Sequence, residues 1–425
     1  MKKNTVSFPK VVKIYQKYNI KKSIKDIQKV INFELSNLKL EEKIFFGDKI
    51  AITAGSRGIT NFIEILSALV KKLKELGAIP FIIPAMGSHG HATSNGQEEV
   101  LAKLGITERT IDCPIKSSME VVKIGTTNKN LPIFLDKHAY EADHIIVVNR
   151  IKPHTEFKAS IESGLIKMMA IGLGKKEGAE KYHNFMVRNG YFNTIISVGR
   201  EVSKLSPIIF GLGIVENQKK ETAIIKAILP ENIEETEKKL LIKAKNWMSK
   251  IPFKGIDLLI VDQMGKDISG SGMDPNIVQR HVARFANFPT KSNILRIFVR
   301  DLSPNSYGNA DGIGLSDFTT KRLVDKIDRD AMYMTCLTSN VPELGRIPIY
   351  FKRDFDAIKN ALNSCGLSRF KEAKIVRIKD TNHLQELEVS EALLEQVKFM
   401  NNIEILTEPY FMKFDKYGNL IDIFN

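Results

Sequence analysis

The sequence predicts an α/β protein made of two α/β domains, each with a mostly parallel sheet. First, the chain has 425 residues, two to three times the length of a common domain of about 150 residues. Second, short β-branched runs alternate with amphipathic helical patterns in its first half. Third, a charged helical stretch around 216–255 separates this half from a new series of strand patterns. We therefore predict an N-terminal domain over 1–250 and a C-terminal α/β domain over 251–425.

The first half reads as alternating strands and helices. Its predicted strands are apolar runs at 48–53, 79–84, 144–149 and 207–215. Between the first two, apolar residues recur at helical spacing from Ile63 to Leu76. A further helix pattern opens at Ser94, a suitable N-cap, and ends at Gly105. Alternation of this kind favours parallel strands covered by helices.

The second half repeats the alternation. Its predicted strands are at 257–264, 293–302, 331–339 and 373–380. Helical patterns such as FDAIKNALNSCGL separate them. This order predicts a second α/β domain.

Composition limits the classes of function. The net charge of +14 would suit a nucleic-acid partner if the cations formed one patch, but the lysines alternate with glutamates at helical spacing. The cysteines, Cys113, Cys336 and Cys365, are too few and too scattered for a disulfide framework or a zinc site. The chain also lacks an apolar signal core and any apolar run of the ~20 residues that a membrane span needs. We expect a cytoplasmic protein that binds neither membrane nor nucleic acid; an anionic small-molecule substrate fits its charge.

Three polar residues follow predicted strands. Arg57 lies in TAGSRGIT, His89 in PAMGSHGHAT and His154 in NRIKPHTEF. In parallel sheets the loops beyond the carboxyl ends of the strands build the site. Each residue has an alternative interpretation, because a loop histidine is often a surface residue and an arginine can pair locally. Their recurrence at three strand ends favours one shared cleft.

The segment 161–184 is unusual for its lysine and histidine. Lys167 interrupts an apolar run, where a buried ammonium needs a partner or a covalent modification. It is either a desolvated nucleophile or a lysine that extends from a partly buried helix to solvent. His183 is either a neutral imidazole ligand or a helix-surface residue. The chain lacks HExxH, GxGxxG, GxxxxGK[ST] and GxSxG motifs, so the usual signatures for metalloproteases, NAD, ATP and serine hydrolases are absent.

The segments SRGIT, AMGSHG, KPHTEF and GLIKMMAIGLGKKEGAEKYH together resemble the nickel-dependent lactate racemase family. The resemblance implies two α/β domains with the active site in the cleft between them. It also implies a racemase or epimerase of a 2-hydroxy acid that transfers hydride to a nickel-pincer nucleotide. By position, the resemblance implies that 1–250 is the cofactor and catalytic domain. It further implies that Arg57 binds the substrate carboxylate, that His89 and His154 are the catalytic bases, that Lys167 carries the nucleotide and that His183 binds nickel.

The chain departs from the family pattern at three places. Ala54 replaces an acidic residue. The run Gly-Leu-Ile-Lys, which ends at Lys167, replaces Gly-Gly-Arg-Lys, and 273–284 lacks the family's substrate lysine. Arg280 is the candidate for that substrate contact. We expect a larger or more anionic hydroxy acid than lactate, such as a sugar acid, and cofactor-synthesis enzymes as partners. The alternatives are a divergent member with another metal- or nucleotide-dependent reaction, and a basic protein that binds a nucleotide or nucleic acid without turnover.

Overall fold

The computed structural model describes residues 7–283 and 292–424. The strands are β1 (Lys10–Gln16), β2 (Lys49–Ala54), β3 (Ile79–Pro84), β4 (Val121–Thr126), β5 (Pro132–Asp136), β6 (His144–Arg150), β7 (Ile208–Glu216), β8 (Thr222–Ile228), β9 (Ile256–Met264), β10 (Ile294–Leu302), β11 (Phe318–Thr320), β12 (Ile349–Phe351), β13 (Ile375–Ile378), β14 (Glu386–Ser390), β15 (Ile403–Ile405) and β16 (Tyr410–Phe411).

The α-helices are α1 (Ile27–Ser36), α2 (Phe62–Glu75), α3 (Ser94–Lys103), α4 (Glu108–Ile111), α5 (Lys137–Tyr140), α6 (Leu165–Lys167), α7 (Lys175–Asn189), α8 (Tyr191–Leu205), α9 (Ile233–Trp247), α10 (Pro275–Val278), α11 (Lys321–Asp325), α12 (Arg329–Thr338), α13 (Asp354–Asn363) and α14 (Leu394–Val397). A π-helical turn over Met168–Gly172 follows α6. None of the described helices combines the length and apolar composition that a membrane span requires.

The described residues form two compact units. One spans Ile20–Met248, and the other joins the residues up to Asn19 with those from Ser249 onward. This division differs from the predicted 1–250 and 251–425 because β1 belongs to the second unit, where it pairs antiparallel with β14 and β15. Val11, Val12 and Ile14 of β1 are buried there, so these neighbours supply the apolar contacts and ladder hydrogen bonds that the strand needs.

The N-terminal unit contains a five-stranded sheet in the order β3-β2-β6-β7-β8. The first four strands are parallel and only β8 is antiparallel. Ile52, Val148 and Leu212 of this sheet belong to the same buried cluster as Ile31 of α1 and Leu66 of α2. Because the parallel strands share one direction, the loops after β2, β3 and β6 leave the same edge of the sheet.

The C-terminal unit contains a larger mixed sheet. The strands β12-β11-β10-β9-β13 are parallel, and β14, β1 and β15 continue the sheet in antiparallel pairing. The predicted α/β class with mostly parallel sheets is therefore confirmed. The strand predicted at 331–339 is wrong, because this segment lies in helix α12. The Asp328 side chain accepts a hydrogen bond from the Ala331 amide and caps the helix, while Met332 and Cys336, one turn apart, are buried.

Candidate active site

The loops after β2 and β3 are joined by a side-chain hydrogen bond. Ser56 follows β2 and its hydroxyl bonds Nδ1 of His89, which follows β3. Both Arg57 and His89 are exposed at this edge. The predicted convergence of strand-end residues therefore holds for these two loops, and Ser56 is the contact that the sequence reasoning missed.

The helical segment that carries Lys167 packs against the same loops. A Cβ on Gly172 would lie 2.7 Å from the Ala85 carbonyl oxygen, and one on Gly55 would lie 3.3 Å from Cε of Met168. Glycine at these positions lets the π-helical turn approach the ends of β2 and β3. The turn therefore places Lys167 beside the loops that carry Arg57 and His89.

A buried carboxylate caps the helix of Lys167. Oε2 of Glu237 accepts a hydrogen bond of 3.0 Å from the Ile166 amide. A Cβ on Gly164 would lie 2.3 Å from Oε1 of Glu237, so only glycine leaves room for the carboxylate. Burial raises the pKa of Glu237 to about 7, although its backbone hydrogen bonds oppose the shift. Helix α9, which the sequence reasoning took only as a charged stretch near a domain boundary, thus supports Lys167.

A second buried carboxylate shapes the loop of His154. Glu162 accepts hydrogen bonds from the amides of His154 (2.7 Å) and Ala159 (3.0 Å). Its other partner is Nζ of Lys245 in α9, at 2.6 Å from Oε1. These contacts fix the path of the loop after β6, and they place His154 against Lys167.

The contact between His154 and Lys167 is direct. Nε2 of His154 is hydrogen-bonded to Nζ of Lys167, and Nδ1 accepts a 3.0 Å hydrogen bond from the Glu156 amide. In a neutral imidazole one nitrogen donates and the other accepts, so the proton of His154 lies on Nε2. A donating Nε2 requires a lone pair on Nζ. The contact therefore selects the neutral amine of Lys167.

The surroundings shift the pKa values of Lys167, His154 and His183 toward the neutral forms. Burial lowers the pKa of Lys167 to about 8, with Glu156 opposing and Arg57 adding to this shift. Burial, followed by the charge of Lys167, holds the pKa of His154 well below its usual range and lowers that of His183 to about 4. At neutral pH the two imidazoles are uncharged and part of Lys167 is a free amine.

Arg57 is the exposed cation of this group. Partial desolvation by surrounding atoms, followed by repulsion from Arg150, lowers the pKa of its guanidinium, and Glu156 opposes the shift. Arg150 is already paired with Glu216 at 2.5 Å. Among the described residues no salt bridge involves Arg57, which leaves its charge available to an anion.

The guanidinium of Arg280, unlike that of Arg57, is paired with a carboxylate. Within the C-terminal unit its guanidinium lies 2.7 Å from Oδ2 of Asp317 and donates to the carbonyl oxygens of Leu315 and Leu295 at 3.1 and 3.0 Å. These contacts tie the segment after α10 to the strands beside it. They occupy guanidinium donors that a substrate carboxylate would otherwise use, and the role of Arg280 in substrate binding stays a prediction.

The described residues contain no group of three or more His, Cys, Asp or Glu side chains able to hold a metal ion. A metal bound through the neutral imidazole of His183 would therefore need further ligands, such as donor atoms of a bound organic group. Of the predicted residues, Arg57, His154, Lys167 and His183 form one electrostatically coupled cluster, and Ser56 links His89 to it.

Residues 4–194 match the lactate racemase N-terminal domain, a range that includes Arg57, His89, His154, Lys167 and His183. The fold resembles the lactate racemase apoprotein from Thermoanaerobacterium thermosaccharolyticum, with a TM-score of 0.56 and 15% identity over 88% of this chain and 99% of that one. A protein from Thermotoga maritima is similar at a TM-score of 0.50 and 14% identity, over 86% and 99% of the two chains. A search of curated proteins found no match. The match to a lactate racemase domain therefore covers the N-terminal part of the chain, and the two solved structures share its fold.

Proposed function

We propose that this protein is a racemase or epimerase of a 2-hydroxy acid that works with a nickel-pincer nucleotide tethered to Lys167. The observation that carries the proposal is the partly buried Lys167 amine, hydrogen-bonded to His154 and coupled to Arg57 and His183. An ordinary structural lysine would instead be charged and paired with a carboxylate.

The residues present fit this cofactor. Lys167 offers a partly neutral amine, which a covalent bond to the nucleotide requires, and His183 offers a neutral imidazole for nickel. When bound, the nucleotide would accept the α-hydrogen of the substrate as hydride, which avoids forming a carbanion beside a carboxylate.

The chain's own residues would bind the substrate and move its hydroxyl proton. Arg57 would hold the carboxylate through its guanidinium. Inversion requires one base on each face of the substrate, and we assign His89 and His154 to these roles. To accept a proton at Nε2, His154 must carry its own proton on Nδ1, so the Glu156 amide has to move away from Nδ1.

The substrate that we propose is larger or more anionic than lactate. The charges of Lys152 and Lys158 act on His154, and that of Arg57 acts on Lys167, so several cations surround the site. Ala54, buried at the end of β2, stands where the family pattern has an acidic residue, which removes one negative charge. A sugar acid that is larger or more anionic than lactate suits this excess of positive charge.

Chiral chromatography of single-isomer substrates tests the proposed reaction. The chain is co-produced with the enzymes that make the nucleotide and is then incubated with each isomer of lactate and of several sugar acids. We expect inversion of at least one acid, and complete loss of inversion in Lys167→Ala. The control is Lys176→Ala, since Lys176 is exposed and lies 4.0 Å from Glu180 on the outside of α7. Equal activity in the wild type and Lys167→Ala would refute the proposal.

A further inference from the structure

We propose that Lys175, acting through Gln97, is a positioning residue that holds the loop of His89 in its catalytic place. The inference rests on the proposed function and assigns a role to a buried cation that the proposed reaction leaves unused. Lys175 is fully buried, at 0% exposure, in the helix that also carries His183.

The side-chain ammonium of Lys175 forms hydrogen bonds with the end of β3 and with Gln97. Its Nζ donates to the Pro84 carbonyl at 2.8 Å and to Oε1 of Gln97 at 2.5 Å. Oδ2 of Asp136 lies farther away, at 3.5 Å. A simple buried ion pair would place the carboxylate nearest, because the pair must offset the cost of desolvating both charges. Here the shortest contacts of the ammonium are with the loop and with Gln97.

Gln97 in turn forms hydrogen bonds with the loop that carries His89. Its Nε2 donates to the carbonyl oxygens of Gly87 (2.9 Å) and His89 (3.2 Å). Since Oε1 faces the ammonium of Lys175, the amide can present only its NH₂ group to the loop. The two carbonyls flank Ser88, so one buried side chain fixes the backbone on both sides of that residue.

The loop also packs closely on the helix of Gln97. Gly90, next to His89, has a φ of +66°, and a Cβ there would lie 2.6 Å from the Gln97 amide nitrogen. The backbone thus touches the first turn of α3 directly. Loss of the Gln97 hydrogen bonds would remove two contacts that hold this loop, while this packing, the Ser56 contact and the hydrogen bond from the His89 amide to the Met86 carbonyl would remain.

The backbone at Lys175 supports a role beyond packing. Its φ is +53°, in the left-handed region that residues other than glycine seldom adopt. Lys175 follows the π-helical turn next to Lys167 and begins the helix of His183. Strain of this kind persists where the surrounding contacts fix it, often at functional sites. Through its backbone and side chain, Lys175 therefore connects the segments of Lys167, His183 and His89.

The test compares Lys175→Met and Gln97→Leu with the wild type, all loaded with the nucleotide, in single-turnover formation of keto acid from each isomer. His89→Ala identifies the isomer that depends on His89. For that isomer we expect both variants to be slowed by about a hundredfold, the cost of a small misplacement of a reacting group. For the opposite isomer we expect rates within about twofold of the wild type, because Glu162 and Lys245, which hold the loop of His154, are unchanged.

Gln97→Glu should show the same selective loss, because it removes the NH₂ donors while retaining an acceptor for Lys175.

Hydrogen exchange of the cofactor-free chain provides a readout independent of activity. We expect faster exchange over residues 85–92 in Lys175→Met and in Gln97→Leu, with unchanged exchange in β6, and no change in the control Lys176→Ala. An equal loss for both isomers with faster exchange throughout the unit would show a merely structural role and overturn the inference. If the wild type inverts no acid, the proposed function fails, whereas the exchange pattern still decides whether Lys175 holds this loop.

Discussion

His89→Ala and His154→Ala should each abolish overall inversion while leaving one half-reaction intact. If the two histidines act on opposite faces, each is the base for one isomer and the acid for the other. The variant that keeps the correct base should still convert its isomer to keto acid in a single turnover. With the opposite isomer the dependence should be reversed.

The measurement is single-turnover keto-acid formation from both isomers with each variant. Ser56→Ala is a useful companion, because it removes the hydroxyl that bonds Nδ1 of His89 and should slow only the isomer that depends on His89. If either alanine variant inverted its substrate at the wild-type rate, that histidine would be a loop residue and the two-base mechanism would be wrong.

Arg57→Ala should lower kcat/KM by about a hundredfold, which corresponds to about 3 kcal/mol. A guanidinium that holds a carboxylate supplies both charge and orientation, so KM should rise as well. Arg57→Lys should recover only part of the loss, since an ammonium keeps the charge without the bidentate geometry.

Steady-state kinetics with Arg57→Ala, Arg57→Lys and Arg200→Ala separate this role from a general effect of charge. Arg200 is an exposed arginine that bonds Glu234 at 2.8 and 2.9 Å, and its removal should leave kcat/KM unchanged. Wild-type kinetics in Arg57→Ala would show that other cations hold the carboxylate.

The sequence predicts the strands of the N-terminal sheet well because they are local apolar runs ended by polar loops. It fails for β1, whose place depends on pairing Tyr15 with Glu386, near the other end of the chain. It also fails at 331–339, where Tyr333, Met334 and Leu337 resemble strand residues but lie exposed on a helix that Asp328 caps. Tertiary context overrides local propensity in both cases.

The candidate site shows the same limit. The positions of Arg57, His89 and His154 at one edge of the sheet could be predicted because each lies in the loop after a strand. The residues that hold them could not, since Lys175 reaches Gln97 across 78 positions of sequence and Glu162 depends on Lys245 in a later helix. Only the burial of Lys175 and Glu162 in the folded chain reveals these contacts. Arg280 shows the converse, because a cation chosen by its position proves to be engaged by Asp317.

Mass spectrometry of the co-produced protein, combined with metal analysis, tests the central claim most directly. The account predicts one adduct on the chain, mapped by peptide analysis to Lys167 and not to Lys158 or Lys175, with one equivalent of nickel. His183→Ala should keep the adduct and lose the nickel, because His183 contributes a metal ligand and not the tether. An unmodified Lys167, an adduct on another lysine, or full nickel content in His183→Ala would contradict the account.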